Sequence, residues 1–164
     1  MNRKVRTMNR KLAGLMSVLL LAFVACGEPE EEVPQVPREE ALRAARADSV
    51  AQAIEMFDAG VFDTLTWESD NVRWERGGFV WAFTCQRCHG SDGAGKGPDA
   101  VTFDIAVPDM TGVDWQYASD IPGIRERIFV GHESEMPSMG LIGLSYQDVD
   151  ASAHYINDLL RTAQ

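Results

Sequence analysis

Residues 85–89 read Cys-Gln-Arg-Cys-His, two thiols and an imidazole within five positions. Three chemistries use such a group. A Cys-x-x-Cys pair can cycle between dithiol and disulfide, but thioredoxin-like pairs follow a strand in a β-α-β setting, and no strand pattern precedes Cys85. A zinc site needs four ligands, and the remaining histidines, His132 and His154, lie more than twenty residues apart instead of three to five. The third chemistry is covalent capture of haem. Both thiols add across the porphyrin's vinyl groups as thioethers, and the two intervening residues set the separation those vinyls need. The adjacent histidine is then held beneath the ring, where its Nε2 can bind iron. One covalently bound haem c is therefore expected, tethered by Cys85 and Cys88 and ligated by His89.

The elements that must position this group lie around it. A compact unit is expected over residues 72–164, with three helices. The first covers about 75–87, with Val80, Trp81 and Phe83 inside and Gly77-Gly78 allowing another backbone to approach. The second covers 121–130, with Pro122 in its first turn and Gly131 after its last. The third starts at Ser145, an N-cap backed by Asp148 three residues on, and runs to about residue 161 along a stripe of Val149, Ala153, Ile156 and Leu160. About thirty Gly- and Asp-rich residues, 90–120, separate the first two helices. A loop of that length in a compact domain is uncommon unless it is functional, and three short helices bury little apolar surface by themselves. A large flat apolar cofactor at the centre, wrapped by the loop, removes both difficulties. No strand and no internal repeat is expected.

Ahead of this unit the chain reads as address and tether. Arg3, Lys4, Arg6, Arg10 and Lys11 form a basic start. Residues 12–24 form an apolar run of about 20 Å as a helix, against the ~30 Å hydrocarbon core of a bilayer. That fits the central segment of an export signal; an uncleaved anchor is the alternative. Ala25-Cys26 resembles the lipobox of bacterial lipoproteins, which implies removal of residues 1–25 and acylation of Cys26. Several acyl chains on one residue anchor stably, because each buried CH₂ contributes ~0.8 kcal/mol. Residues 26–38 are Pro- and Glu-rich, an extended acidic tether. Residues 39–71 form a helical extension. Its helix is expected over 39–58, with Leu42, Ala45, Val50, Ala53, Ile54 and Phe57 on one stripe and Gly60 placed to end it. The pattern leaves open whether this helix docks on the main unit or forms a stalk. Loss of the five basic residues leaves ten Lys and Arg against twenty-five Asp and Glu, a net charge of −15. Such a chain is repelled by nucleic acid and anionic headgroups and suits a protein partner with a basic patch.

The run Cys-His-Gly-Ser-Asp-Gly-Ala-Gly-Lys-Gly-Pro over residues 88–98 resembles class I cytochromes c. The resemblance reaches from about Glu75 to the C-terminus. It implies an all-α cytochrome c fold, about three core helices around one haem, with the N-terminal helix and tether as additions. In that family a glycine eight residues before the first cysteine and an aromatic four before it pack on the C-terminal helix. Gly77 and Trp81 occupy those positions, and Tyr155 is the matching C-terminal aromatic. Pro98 is implied to place a backbone carbonyl on the Nδ1–H of His89, fixing its tautomer and raising its basicity. Met136-Pro137, forty-seven residues after His89, matches the family's Met-Pro pair, whose thioether binds iron. Met139, His132, Met110 and His154 are rival sixth ligands. Trp115, Arg125 and Arg127 are candidate contacts to the haem propionates.

With both axial positions filled, no site on the iron is open to substrate. The expected activity is one-electron transfer by a non-enzymatic carrier, shuttling between respiratory or photosynthetic complexes on the periplasmic side of a bacterial membrane. A fixed haem c subunit of a larger oxidoreductase is the alternative. A peroxidase or gas sensor from which Met136 dissociates is a third reading.

Overall fold

A computed structural model of the chain describes residues 37–134 and 136–162. The expected signal peptide, the Cys26 lipidation site and tether residues 26–36 lie outside the described residues. Helices and turns make up the described residues, with no strand among them. The fold is all-α, as expected.

Helix α1 (Arg38–Met56) opens with Glu39 and Glu40 in its first turn, where carboxylates favour the helix dipole. It ends at Met56, two residues short of the expected bound, and Gly60 is not what ends it. Phe57 turns to extended backbone, which brings its ring onto Phe62, Phe129 and Tyr146 at centroid distances of 6.0, 5.5 and 6.5 Å. Gly60 instead stands in a 3₁₀ turn, Ala59–Thr64, capped by the Asp58 side chain. The expected stripe is only partly used. Ala53 is buried, Val50 and Phe57 are half-buried, but Leu42 and Ile54 are exposed. Helix α1 lies mainly along α4, so its contact strip is narrow, and Ile54 points about 100° away from Ala53. The open question is settled: this helix docks.

Helix α2 (Asp70–Val80) begins five residues earlier than the pattern predicts. Ser69 accepts a hydrogen bond from the Val72 amide at 3.3 Å and Asp70 sits in the first turn. The chain continues through a π-helical turn, Trp81–Cys85, into α3 (Gln86–His89). Phe83, expected inside, is 73% exposed. It is two residues past the buried Trp81, on roughly the opposite side of the helix, and pairs with exposed Phe79 at 4.7 Å.

Helix α4 (Ile121–Val130) matches its expected bounds. Asp120 caps it by accepting from the Gly123 amide, and Gly131 leaves it at φ 79°. Helix α5 (Tyr146–His154) carries the Ser145/Asp148 capping box and runs on through a π-helical turn, Tyr155–Leu160. All four residues of its predicted stripe are buried. Helices α2 and α5 cross closely enough that a Cβ on Gly77 would stand 2.2 Å from the Ala151 carbonyl oxygen. Gly78, one residue on, faces the Tyr155 ring.

A polar hub ties these helices together. Asp150, 2% exposed, accepts from Trp67 Nε1 at 2.7 Å and from the Arg125 guanidinium. Asp158 accepts from Trp74 Nε1 at 3.0 Å, and His154 lies between the two carboxylates. The segment before α2, the helix α2 itself, α4 and α5 are thus joined through buried or half-buried charge.

Candidate functional site

The helical run from Asp70 delivers Cys85, Cys88 and His89 on its last two turns, all half-buried, with both thiols free. Its end is closed by the glycine-rich loop. The amides of Gly95, Gly97 and Asp99 donate to the carbonyls of His89, Cys88 and Arg87 at 2.9, 3.1 and 2.9 Å. These three carbonyls have no partner within the helix, so the loop satisfies the orphaned acceptors of the helix end. Gly97 is obligatory there: a Cβ would lie 2.2 Å from the Arg87 carbonyl oxygen. Gly90, at φ 82°, makes the turn out of α3. An Arg87–Asp99 ion pair at 2.8 Å bridges the same joint on the surface.

Burial, reinforced by Cys88, pushes the Cys85 thiol up to about 12. Burial and the Asp99 carboxylate raise Cys88 as well, against the opposing pull of Arg87. A dithiol redox pair needs a thiolate near neutral pH, so this pair does not fit that chemistry. Burial lowers His89, which keeps the imidazole neutral and its lone pair available to a metal. The His89 ring packs 5.9 Å from Trp81, itself 6.2 Å from Tyr155. The three residues named from the family resemblance therefore stand next to one another, with Gly77 under Tyr155.

The Nδ1 of His89 is buried and makes no hydrogen bond. The expected bond to the Pro98 carbonyl is thus not formed in this structure; Pro98 is exposed, and its neighbour Gly97 is committed to the Cys88 carbonyl. Among the candidate sixth ligands, His154 is held by Asp158 at 3.1 Å and lies 3.8 Å from Asp150. His132 is exposed and bonded to the Ser134 hydroxyl. The three methionines behave differently. Met110 and Met139 belong to the buried apolar cluster, and Met136 and Cys85 are half-buried against that same cluster. Arg125 is committed to Asp150 and lies over the Phe62 ring at 4.7 Å. Trp115 and Arg127 instead meet at Tyr117: the Trp115 ring is 5.6 Å away and Arg127 Nε donates to the hydroxyl at 3.1 Å.

These residues fit a covalently bound haem: two protonated thiols one helical turn apart, a neutral imidazole beside them, and an apolar cluster that includes methionine. Sequence reasoning missed the Asp150 hub. Its only signal was one acid at the edge of the apolar stripe of α5.

A family model described as cytochrome c oxidase, cbb3-type, subunit III matches residues 72–156. No curated protein and no solved structure matches the chain. The matched domain type binds haem c covalently and fits haem-based electron transfer. The match takes in the thiol pair, His89, the glycine loop and Met136, and extends over more than half of the chain, which therefore belongs to this family of mono-haem, c-type cytochrome domains.

Proposed function

We propose that the protein is a lipid-anchored carrier of single electrons, with its iron held between His89 and Met136. Cys85 and Cys88 would hold haem c as thioethers, His89 would bind the iron through Nε2, and Met136 would supply a thioether sulfur. When bound, haem c supplies an iron that changes charge by one electron, and a thioether ligand favours its ferrous state over a bis-histidine pair. The chain's own work is to hold and to exclude. The glycine loop fixes the end of α3 through three backbone hydrogen bonds, so the imidazole has a rigid seat. The apolar cluster keeps water from the centre and leaves the potential to be tuned by burial. The orphaned Nδ1 of His89 is the donor that a carbonyl at Pro98 would satisfy.

The observation that carries this reading is the arrangement at His89. A neutral, partly buried imidazole packs on Trp81 beside two free thiols, while half-buried Met136 faces the same apolar cluster as Cys85. Met136→Ala should lower the midpoint potential and let carbon monoxide bind the reduced protein. Unchanged potential and spectra would transfer the role to Met139. Cys26→Ser should release the protein from membranes in soluble form.

The family description favours a second reading, a fixed haem c subunit of a terminal oxidase. Purification from native membranes in mild detergent separates the two. A shuttle comes away alone, and a subunit brings its complex. Its acidic surface suits a basic docking patch on either kind of partner. No helix among the described residues is long and apolar enough to cross a membrane.

A further inference from the structure

The turn that carries Met136 is gripped from outside the matched domain. Within the turn, the His132 amide donates to the Met136 carbonyl at 2.8 Å, and the Ser134 amide donates to His132 Nδ1 at 3.1 Å. His132, Ser134 and Met136 are therefore cross-tied. Arg46, on α1, donates through Nη1 to the Ser134 carbonyl at 2.6 Å, across eighty-eight residues of sequence. Close by, α1 and the turn border a half-open cavity of about 240 Å³ lined by Leu42, Ala45, Val50, Met136, Pro137 and Leu141 among others. That volume exceeds a methionine side chain. The Met136 side chain thus borders open space on the side facing α1, and Arg46 reaches across beside it to the Ser134 carbonyl.

The far end of α1 is fixed separately. The Tyr146 hydroxyl accepts from the Asp58 amide at 2.7 Å and donates to the Met56 carbonyl at 2.9 Å. The C-terminal end of α1 is thus pinned to α5, and Arg46 links the same helix to the Met136 turn.

We infer that Arg46 is a positioning residue for Met136: helix α1 holds the methionine turn inward, and the cavity beneath it is the room into which Met136 swings when it leaves the iron. This inference rests on Met136 being the sixth ligand. It assigns a role in ligand retention to a helix that lies outside the family's domain, and it makes α1 a determinant of how readily the iron opens to small molecules.

The test uses the full haem-loaded chain, with imidazole as the competing ligand, neutral at the working pH. Wild type should show the weak long-wavelength charge-transfer band of methionine-ligated ferric haem, and Met136→Ala should lack it. Arg46→Met keeps the aliphatic stem and removes the donors. A hydrogen bond to a charged group is of a size that corresponds to about a tenfold change or more, so imidazole should bind this variant about tenfold more tightly than wild type. Arg46→Lys should recover part of the loss. Ala45→Leu fills the cavity and should slow imidazole entry severalfold, a direction that simple destabilisation does not produce. If wild type and Met136→Ala behave as stated but Arg46→Met and Ala45→Leu bind imidazole as wild type does, the Arg46 inference is overturned while the ligand assignment stands. If wild type lacks the band, or Met136→Ala keeps it, the ligand assignment fails and takes the inference with it.

Discussion

The loop after the Cys-x-x-Cys-His motif and the turn that bears Met136 are both closed locally, but the turn has in addition a long-range side-chain tie. The first is closed by backbone hydrogen bonds spanning six to twelve residues, from the amides of Gly95, Gly97 and Asp99 to the carbonyls of His89, Cys88 and Arg87. The second is tied locally to the end of α4, through the Ser138 hydroxyl on the Val130 carbonyl and the Gly140 amide on that of Phe129. It also receives a hydrogen bond at the Ser134 carbonyl from Arg46, eighty-eight residues away. Local backbone closure costs little chain entropy and forms one rigid seat. Long-range side-chain ties cost more entropy to form and are easier to release. The difference matches the proposed division of labour: a histidine that stays and a methionine whose hold can be adjusted.

The comparison can be broken at several places. The largest effect is expected at the hub that joins both halves. Asp150→Ala leaves the Arg125 guanidinium facing a gap and removes the partner of Trp67. It should cost about 3–5 kcal/mol in denaturant unfolding of the haem-loaded protein, with Asp150→Asn costing less. Next comes Gly97→Ala, whose added Cβ meets backbone that cannot step aside. A loss of about 2–3 kcal/mol is expected, with faster hydrogen exchange at the Gly95 and Gly97 amides. Tyr146→Phe deletes both ties to residues 56 and 58 and should cost about 1–2 kcal/mol. Exchange should rise at the Asp58 amide and stay unchanged in the glycine loop. Equal loosening of both regions by Tyr146→Phe would contradict the separation drawn here.

The smallest effect concerns acid. Burial alone would raise the Asp148 carboxyl, but hydrogen bonds from Arg76 and Ser145 and the Arg76 charge outweigh it and hold the group below its ordinary 3.8. A carboxylate depressed in the folded state stabilises fully above its unfolded value and loses that contribution as pH falls through its folded value. Stability should therefore decline below about pH 4, and Asp148→Asn should flatten that decline. Acid titrations followed by helical circular dichroism make the comparison. An identical slope in wild type and variant would remove Asp148 from the cause.

The motif end was legible in the sequence because its determinants are local. Cys85, Cys88 and His89 sit within five positions, and the caps at Asp120 and Ser145 act within three residues of themselves. Helix α4 accordingly matched its expected bounds, and the stripe of α5 is buried as read. The errors arose where tertiary contacts decide. Phe57 leaves the helix to join an aromatic cluster with Phe129 and Tyr146, partners more than seventy residues distant, and nothing near Gly60 announces that. Phe83 looked like core because apolar residues surround it in sequence, yet the helix turns it outward. The docking of α1 was equally hidden: its stripe is thin, and the Arg46 tie reaches a backbone carbonyl, which carries no sequence signature.

The most direct test is mass spectrometry of proteolytic peptides from protein matured in a host competent for c-type cytochromes. The peptide containing residues 85–89 should carry one haem through both cysteines. Recovery of that peptide with free thiols, or with Cys85 and Cys88 joined as a disulfide, would contradict the placement of the cofactor at this motif.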